Sequence, residues 1–140
     1  MRIKAVAGSL ALACLAACAA QLEDPERFII AGECPDGVDV EVDVLAVRCA
    51  GVVCHSPGDA PPGGVDLVSP GVAERVVGVD SPGCDGEVLV VPGDPDASLL
   101  VRKLGSDPPC GSRMPLTGQL GPGEETCIRD WIETITPGGE

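Results

Sequence analysis

The sequence of 140 residues predicts a small, mostly α domain with Gly/Pro-rich loops and disulfide staples. Three observations carry this expectation. Apolar residues recur at helical spacing in short segments bounded by capping residues and prolines. Nineteen Gly and 14 Pro occur without a Gly-x-y period, which excludes collagen and favours loops between short elements. No repeat of solenoid or propeller length is visible, so those architectures drop out.

The elements follow in order. Met1-Arg2-Ile3-Lys4 precedes an apolar run from Ala5 to Ala17, the charged start and short greasy middle of a secretory signal. That run is too short to cross a bilayer as a helix. Residues 18–33 have no clear period and read as a tether. From Val38 the chain fits two periods at once. Val38, Val40, Val42 and Val44 alternate as in an exposed strand, whereas Val38, Val42, Leu45 and Cys49 share one side of a helix.

Ser69 and Pro70 are placed to cap and open a short helix that ends near Gly78. Glu87 to Val91 is an extended apolar run stopped by Pro92-Gly93. Asp94 then caps a helix with Pro95 at its first position, a stripe of Leu99, Leu100 and Leu104, Arg102 and Lys103 in the last turn, and Gly105 as terminator. The last helix begins near Pro122, carries Glu124 and Glu125 in its first turn, and presents Ile128, Trp131, Ile132 and Ile135 at helical spacing before Pro137. Residues 137–140 form a tail.

Export changes the reading of charge and of cysteine. Removing the signal deletes Arg2 and Lys4 and no acidic residue, taking the formal charge from −13 to −15. Nucleic acid is therefore not expected as a partner; the acidity fits the solubility of an exported domain first, and a basic docking patch on a protein partner second. Cys34, Cys49, Cys54, Cys84, Cys110 and Cys127 reach a compartment where disulfides persist, and six thiols allow 15 pairings.

Chemistry is concentrated in Cys49-Ala50-Gly51-Val52-Val53-Cys54-His55, which contains the chain's single histidine. Two thiols followed directly by an imidazole resemble the attachment signature of c-type haem, Cys-x-x-Cys-His, with a spacer of four residues in place of two. The longer spacer has to bulge, and Gly51 permits this by tolerating positive φ. Met114 is the one methionine left after Met1 is lost with the signal. A thioether is a common second ligand to haem iron.

Together with Gly63-Gly64-Val65-Asp66-Leu67, the run from Val91 to Leu104, Arg113-Met114-Pro115 and the closing Trp131-Ile132 helix, residues 34–136 resemble the cytochrome c-like domain of exported bacterial proteins. Leu15-Ala16-Ala17-Cys18 resembles a lipobox. That resemblance implies cleavage before Cys18, lipid attachment to it and an outer-membrane location, since Ala19 rather than Asp follows; cleavage near Ala20 is the alternative.

The cytochrome resemblance implies covalent haem c on Cys49 and Cys54, with His55 as the proximal iron ligand and Met114 as the distal one. It also implies that Val38 to Val47 is the first helix, crossing the last, and that the protein carries single electrons to a redox partner rather than converting a substrate. On this reading Cys110 pairs with Cys127, fastening the Met114 loop to the last helix, and Cys34 pairs with Cys84. A haem-free alternative stays open, in which Cys49 and Cys54 form a local disulfide, three bridges staple the domain, and the protein is a structural or interaction module. Zinc on Cys49, Cys54 and His55 lacks a fourth ligand, the acidic stretch from Asp36 to Asp43 lacks a calcium loop, and no serine nucleophile motif occurs.

Overall fold

A computed structural model describes residues 32–51, 54–57 and 61–136; the signal segment, Cys18 and residues 137–140 lie outside the described residues. Helices are the only regular secondary structure among the described residues, and extended segments meet at isolated bridges. The ambiguous valine stretch is helical. Asp39 caps it by accepting from the N–H groups of Glu41 and Val42, and a π-helical segment, Val40–Leu45, runs into one α turn, α1 (Ala46–Arg48). The wider π register brings Val40, Val44 and Leu45 into the core and leaves Val42 and Val47 exposed.

Helix α2 (Val72–Val76) starts later than the expected Ser69–Pro70 opening. Ser69 is diverted, because its N–H donates to Asp66 and its carbonyl accepts from Arg75. The chain turns instead at Gly71, whose φ of 77° suits glycine. The first helical amides, Val72 and Ala73, donate to the Glu41 carboxylate at 2.8 and 3.2 Å, so the cap comes from an earlier helix.

Helix α3 (Leu99–Arg102) likewise begins after the Asp94–Pro95 position. Asp94 caps only a turn, accepting from Ala97 N–H at 3.0 Å. Ser98 then stays extended and fully buried, with its hydroxyl donating to Asp94 O and accepting from Val91 N–H. The amides of Leu99 and Leu100 donate to Val88 and Leu89 of the extended run, whose pairing with residues 76–80 replaces a longer helix. Helix α4 (Pro122–Thr134) matches its sequence signals closely. Glu124 accepts from Gly121 N–H at 2.7 Å, and Cys127, Ile128 and Ile132 face the core.

One apolar cluster joins these pieces: Val40, Val44 and Leu45, Val72 and Val76, Leu89 and Val90, Leu99, Val101 and Leu104, and Ile128 and Ile132. No aromatic ring is fully buried among the described residues; Trp131 is half-buried and packs against the cluster's edge. The π segment packs on α4, and Arg48 reinforces the contact by reaching Glu124 at 3.1 Å and Gln119 O at 2.8 Å.

The cysteine pairing differs from the expected one. Cys34 is bonded to Cys127 and Cys84 to Cys110, in place of Cys110–Cys127 and Cys34–Cys84. The entry of the chain at Gly32 is fastened along α4, where Thr126 donates to Gly32 O at 2.7 Å, and this brings Cys34 to Cys127 with Cα atoms 4.7 Å apart. Cys110 lies instead over the turn at Ser81–Glu87, beside Cys84.

Candidate functional site

The Cys–His segment is a closed loop. Cys49 ends α1, with its N–H on Leu45 O, and the backbone then doubles back so that His55 N–H donates to Cys49 O at 3.1 Å and Cys54 N–H to Gly51 O at 2.9 Å. Ser56 Oγ accepts from Gly51 N–H at 2.9 Å and seals the loop. Gly51 has φ 150°, and a Cβ there would lie 2.9 Å from Cys54 Sγ. Gly51 thus has the positive φ expected of it, at a position that only glycine suits. Val52 and Val53 lie outside the described residues.

Cys49 and Cys54 are both unpaired and half-buried, while the other four described cysteines are bridged. Burial pushes the Cys49 thiol up to about 11, with the neighbouring Cys54 adding to the effect and Arg48 opposing it. At neutral pH this sulfur is a thiol, unlike the low-pKa cysteines of redox catalysts.

The His55 ring is oriented by a backbone carbonyl. Its Nδ1 lies 2.9 Å from Val65 O. A carbonyl can only accept, so Nδ1 carries the proton and the neutral ring keeps its lone pair on Nε2, the atom that ligates a metal. Leu67 N–H donates to His55 O at 3.0 Å, so the histidine is held through both its ring and its backbone.

Val65 was invisible as a site residue in the sequence, although the Gly63-Gly64 pair before it marked the turn that presents its carbonyl. That turn, Pro62–Gly64, needs its glycines: Gly64 has φ 69°, and a Cβ there would meet Pro82 Cγ at 2.9 Å. Asp66 fixes the far side. The Ser69 hydroxyl, with the amides of Ser69 and Val68, holds its carboxyl down at about 2, and Arg75 binds the carbonyls of Asp66, Ser69 and Pro70.

Met114 stands on a different loop. Its N–H donates to Lys103 O at 2.7 Å at the end of α3, its side chain is half-buried, and its peptide bond to Pro115 is cis. Arg113 is half-buried beside it, with Nε on Leu104 O at 2.6 Å. The described contacts of Met114 run to α3 rather than directly to the Cys–His loop.

A haem would draw on Cys49, Cys54 and His55 at three separated points, two at the ring edge and one at the iron, whereas zinc would need them at one. Among the described residues no three His, Cys, Asp or Glu side chains converge to hold a metal ion. The donor set is compatible with the first demand: Cys49 and Cys54 are unpaired, and among the described residues the His55 ring bonds through Nδ1 alone. A recess among the described residues lies elsewhere. It has a volume of about 540 Å³, lies between the π segment, the Val68–Gly71 turn and Trp131, and is lined by none of the four residues expected to hold haem.

No helix among the described residues is long and apolar enough to cross a membrane. Compared with known proteins, the chain matches no family model, no curated protein and no solved structure.

Proposed function

We propose that this chain is an exported, lipid-anchored monohaem c-type cytochrome-like electron carrier. The observation that carries the reading is the His55 ring, with Nδ1 on Val65 O and no partner on Nε2 among the described residues, directly after the second of two unpaired cysteines. Cys49 and Cys54 would retain the haem covalently, His55 would be its proximal ligand, and Met114 its distal one. Haem iron bound there supplies a one-electron couple.

The chain's own contribution is positional. Val65 keeps the imidazole in one tautomer, Gly51 lets Cys54 approach the backbone, and the valine and leucine core gives a low-dielectric wall on one side. The acidic surface supports a basic docking patch on the redox partner, because every Lys and Arg among the described residues is engaged in an internal contact. Cys18 would tether the domain to the outer membrane.

The test is the Soret band of protein exported from cells with haem-maturation machinery, expected to survive acid–acetone extraction. Loss of that absorbance, with a protein mass that carries no haem, would overturn the reading. A haem-free, disulfide-stapled interaction module is the second reading. It is favoured by one observation, that the 540 Å³ recess beside Trp131 does not touch the Cys–His loop.

A further inference from the structure

The Cys84–Cys110 bridge joins the Met114 loop to a turn that packs under Gly63–Gly64, the segment leading to the Val65 carbonyl on which His55 rests. On one side, Cys84 is 4% exposed and sits in a tight turn fastened by Ser81 N–H to Glu87 O and Glu87 N–H to Cys84 O. That turn lies on the His55 side of the molecule, since Pro82 packs against Gly64 and Gly83 against Gly63, immediately before Val65. On the other side, Cys110 is four residues ahead of Met114. Lys103 Nζ donates to Cys110 O at 2.6 Å, and the Lys103 carbonyl accepts the Met114 N–H. Lys103 thus grips the loop at both places, and the disulfide ties that grip to the turn beneath Val65.

The other holds on residues 105–121 lie at its two ends: Arg113 reaches Leu104 O, Arg48 reaches Gln119 O, Leu120 packs on the core, and no helix forms before Pro122. With five glycines and prolines between Gly105 and Pro115, this segment has little side-chain burial to order it. A cross-link spanning 26 residues removes more loop-closure freedom than one backbone hydrogen bond supplies.

We propose that the Cys84–Cys110 disulfide is a redox-sensitive strap that holds Met114 in its ligand position and frees it on reduction, with Lys103 as a positioning residue. The inference rests on the haem reading for its consequence and on the protein's own contacts for its mechanics. The reductant is a dithiol. Its thiolate attacks Cys110 Sγ, the more exposed sulfur of the pair, and the S–S bond breaks with Cys84 leaving as a thiolate that takes up a proton. The second thiol then resolves the mixed disulfide, so that two electrons and two protons pass to the cysteines and the dithiol becomes a disulfide. With the strap open the Met114 segment is held through Lys103 and Leu104 at the end of α3, and in haem-loaded protein its thioether would no longer be positioned for the iron, whose potential would fall.

The experiment uses full-length, matured protein and follows amide hydrogen exchange over residues 106–116, together with the methionine-to-iron charge-transfer band. In Cys84→Ser/Cys110→Ser, exchange over this segment is expected to rise about a hundredfold with α4 unchanged, and the band to disappear while haem stays attached. Lys103→Gln keeps the bridge and removes one charged hydrogen bond; about tenfold faster exchange is expected. Treating the wild type with a dithiol and reoxidising it should lose and then recover the band.

Unchanged exchange in both variants overturns the strap. Faster exchange with an unaltered band overturns Met114 as ligand and leaves the strap standing. If the wild type carries no haem, the cytochrome reading fails, and the exchange measurement on that same chain still decides the strap.

Discussion

The packing of the π segment and α4 and the loops that carry His55 and Met114 are built by different forces. Between the π segment and α4 the chain is periodic, and Leu45, Ile128 and Ile132 are at most 1% exposed. Around His55 the backbone is irregular and half-buried, and its shape comes from named hydrogen bonds: Val65 O, Ser56 Oγ, Asp66 with the amides of Val68 and Ser69, and Lys103. Burial is tolerant of sequence detail because any apolar residue of the right size contributes. Directed bonds are not, since each needs one atom at one place. The core side therefore sets stability, while the loop side fixes individual polar groups in place.

The largest test of that division is the bridge from Cys34 to Cys127. It spans 93 residues, and replacing both cysteines with serine is expected to cost about 4–5 kcal/mol by chemical denaturation. Next is Ile132→Ala, which empties a fully buried position and is expected to cost about 3 kcal/mol without altering the environment of His55 in NMR spectra. If Ile132→Ala instead perturbed His55 strongly, the two sides would be one unit.

A loop-side effect comes third. Cys49 has an ordinary thiol value of 9.0 and a folded value of about 11, so its neutral form is favoured by folding. Its contribution is fully present below pH 9 and is lost as pH rises from 9 to 11, about 2 kcal/mol in the haem-free chain. Cys49→Ala should flatten that part of the alkaline stability curve, and an unchanged slope would place the titration elsewhere. The smallest effect sits at the junction. Glu41→Gln weakens the cap on α2 and is expected to cost about 1 kcal/mol, with exchange rising first at Val72 and Ala73.

How much of this could be read in the chain depends on the range of the interaction. Helix α4 was legible because Pro122, Glu124 and the Ile128–Ile132 stripe all lie within the element they define. The valine stretch was ambiguous because alternation and helical spacing coincide in it, and packing against α4 decided for helix. Asp94 looked like the cap of a long helix. It caps a turn, because the extended run at Val88–Leu89 supplies acceptors for the amides of Leu99 and Leu100, and no local propensity reports those acceptors.

The candidate site divides in the same way. Cys49, Cys54, His55 and the positive φ of Gly51 could be read from seven consecutive residues, whereas Val65, ten residues away, could not.

By itself, the sequence determined the composition of the core, the Gly/Pro-rich loops, the terminal helix and the chemical types gathered around His55, all properties of neighbours along the chain. The tertiary structure alone decided which cysteines pair, that Glu41 caps α2, and that a backbone carbonyl sets the histidine's tautomer. Each of these joins atoms distant in sequence, and each depends on where two surfaces meet. A disulfide forms where two Cβ atoms are brought within reach, and thiol spacing alone leaves 15 pairings equally open.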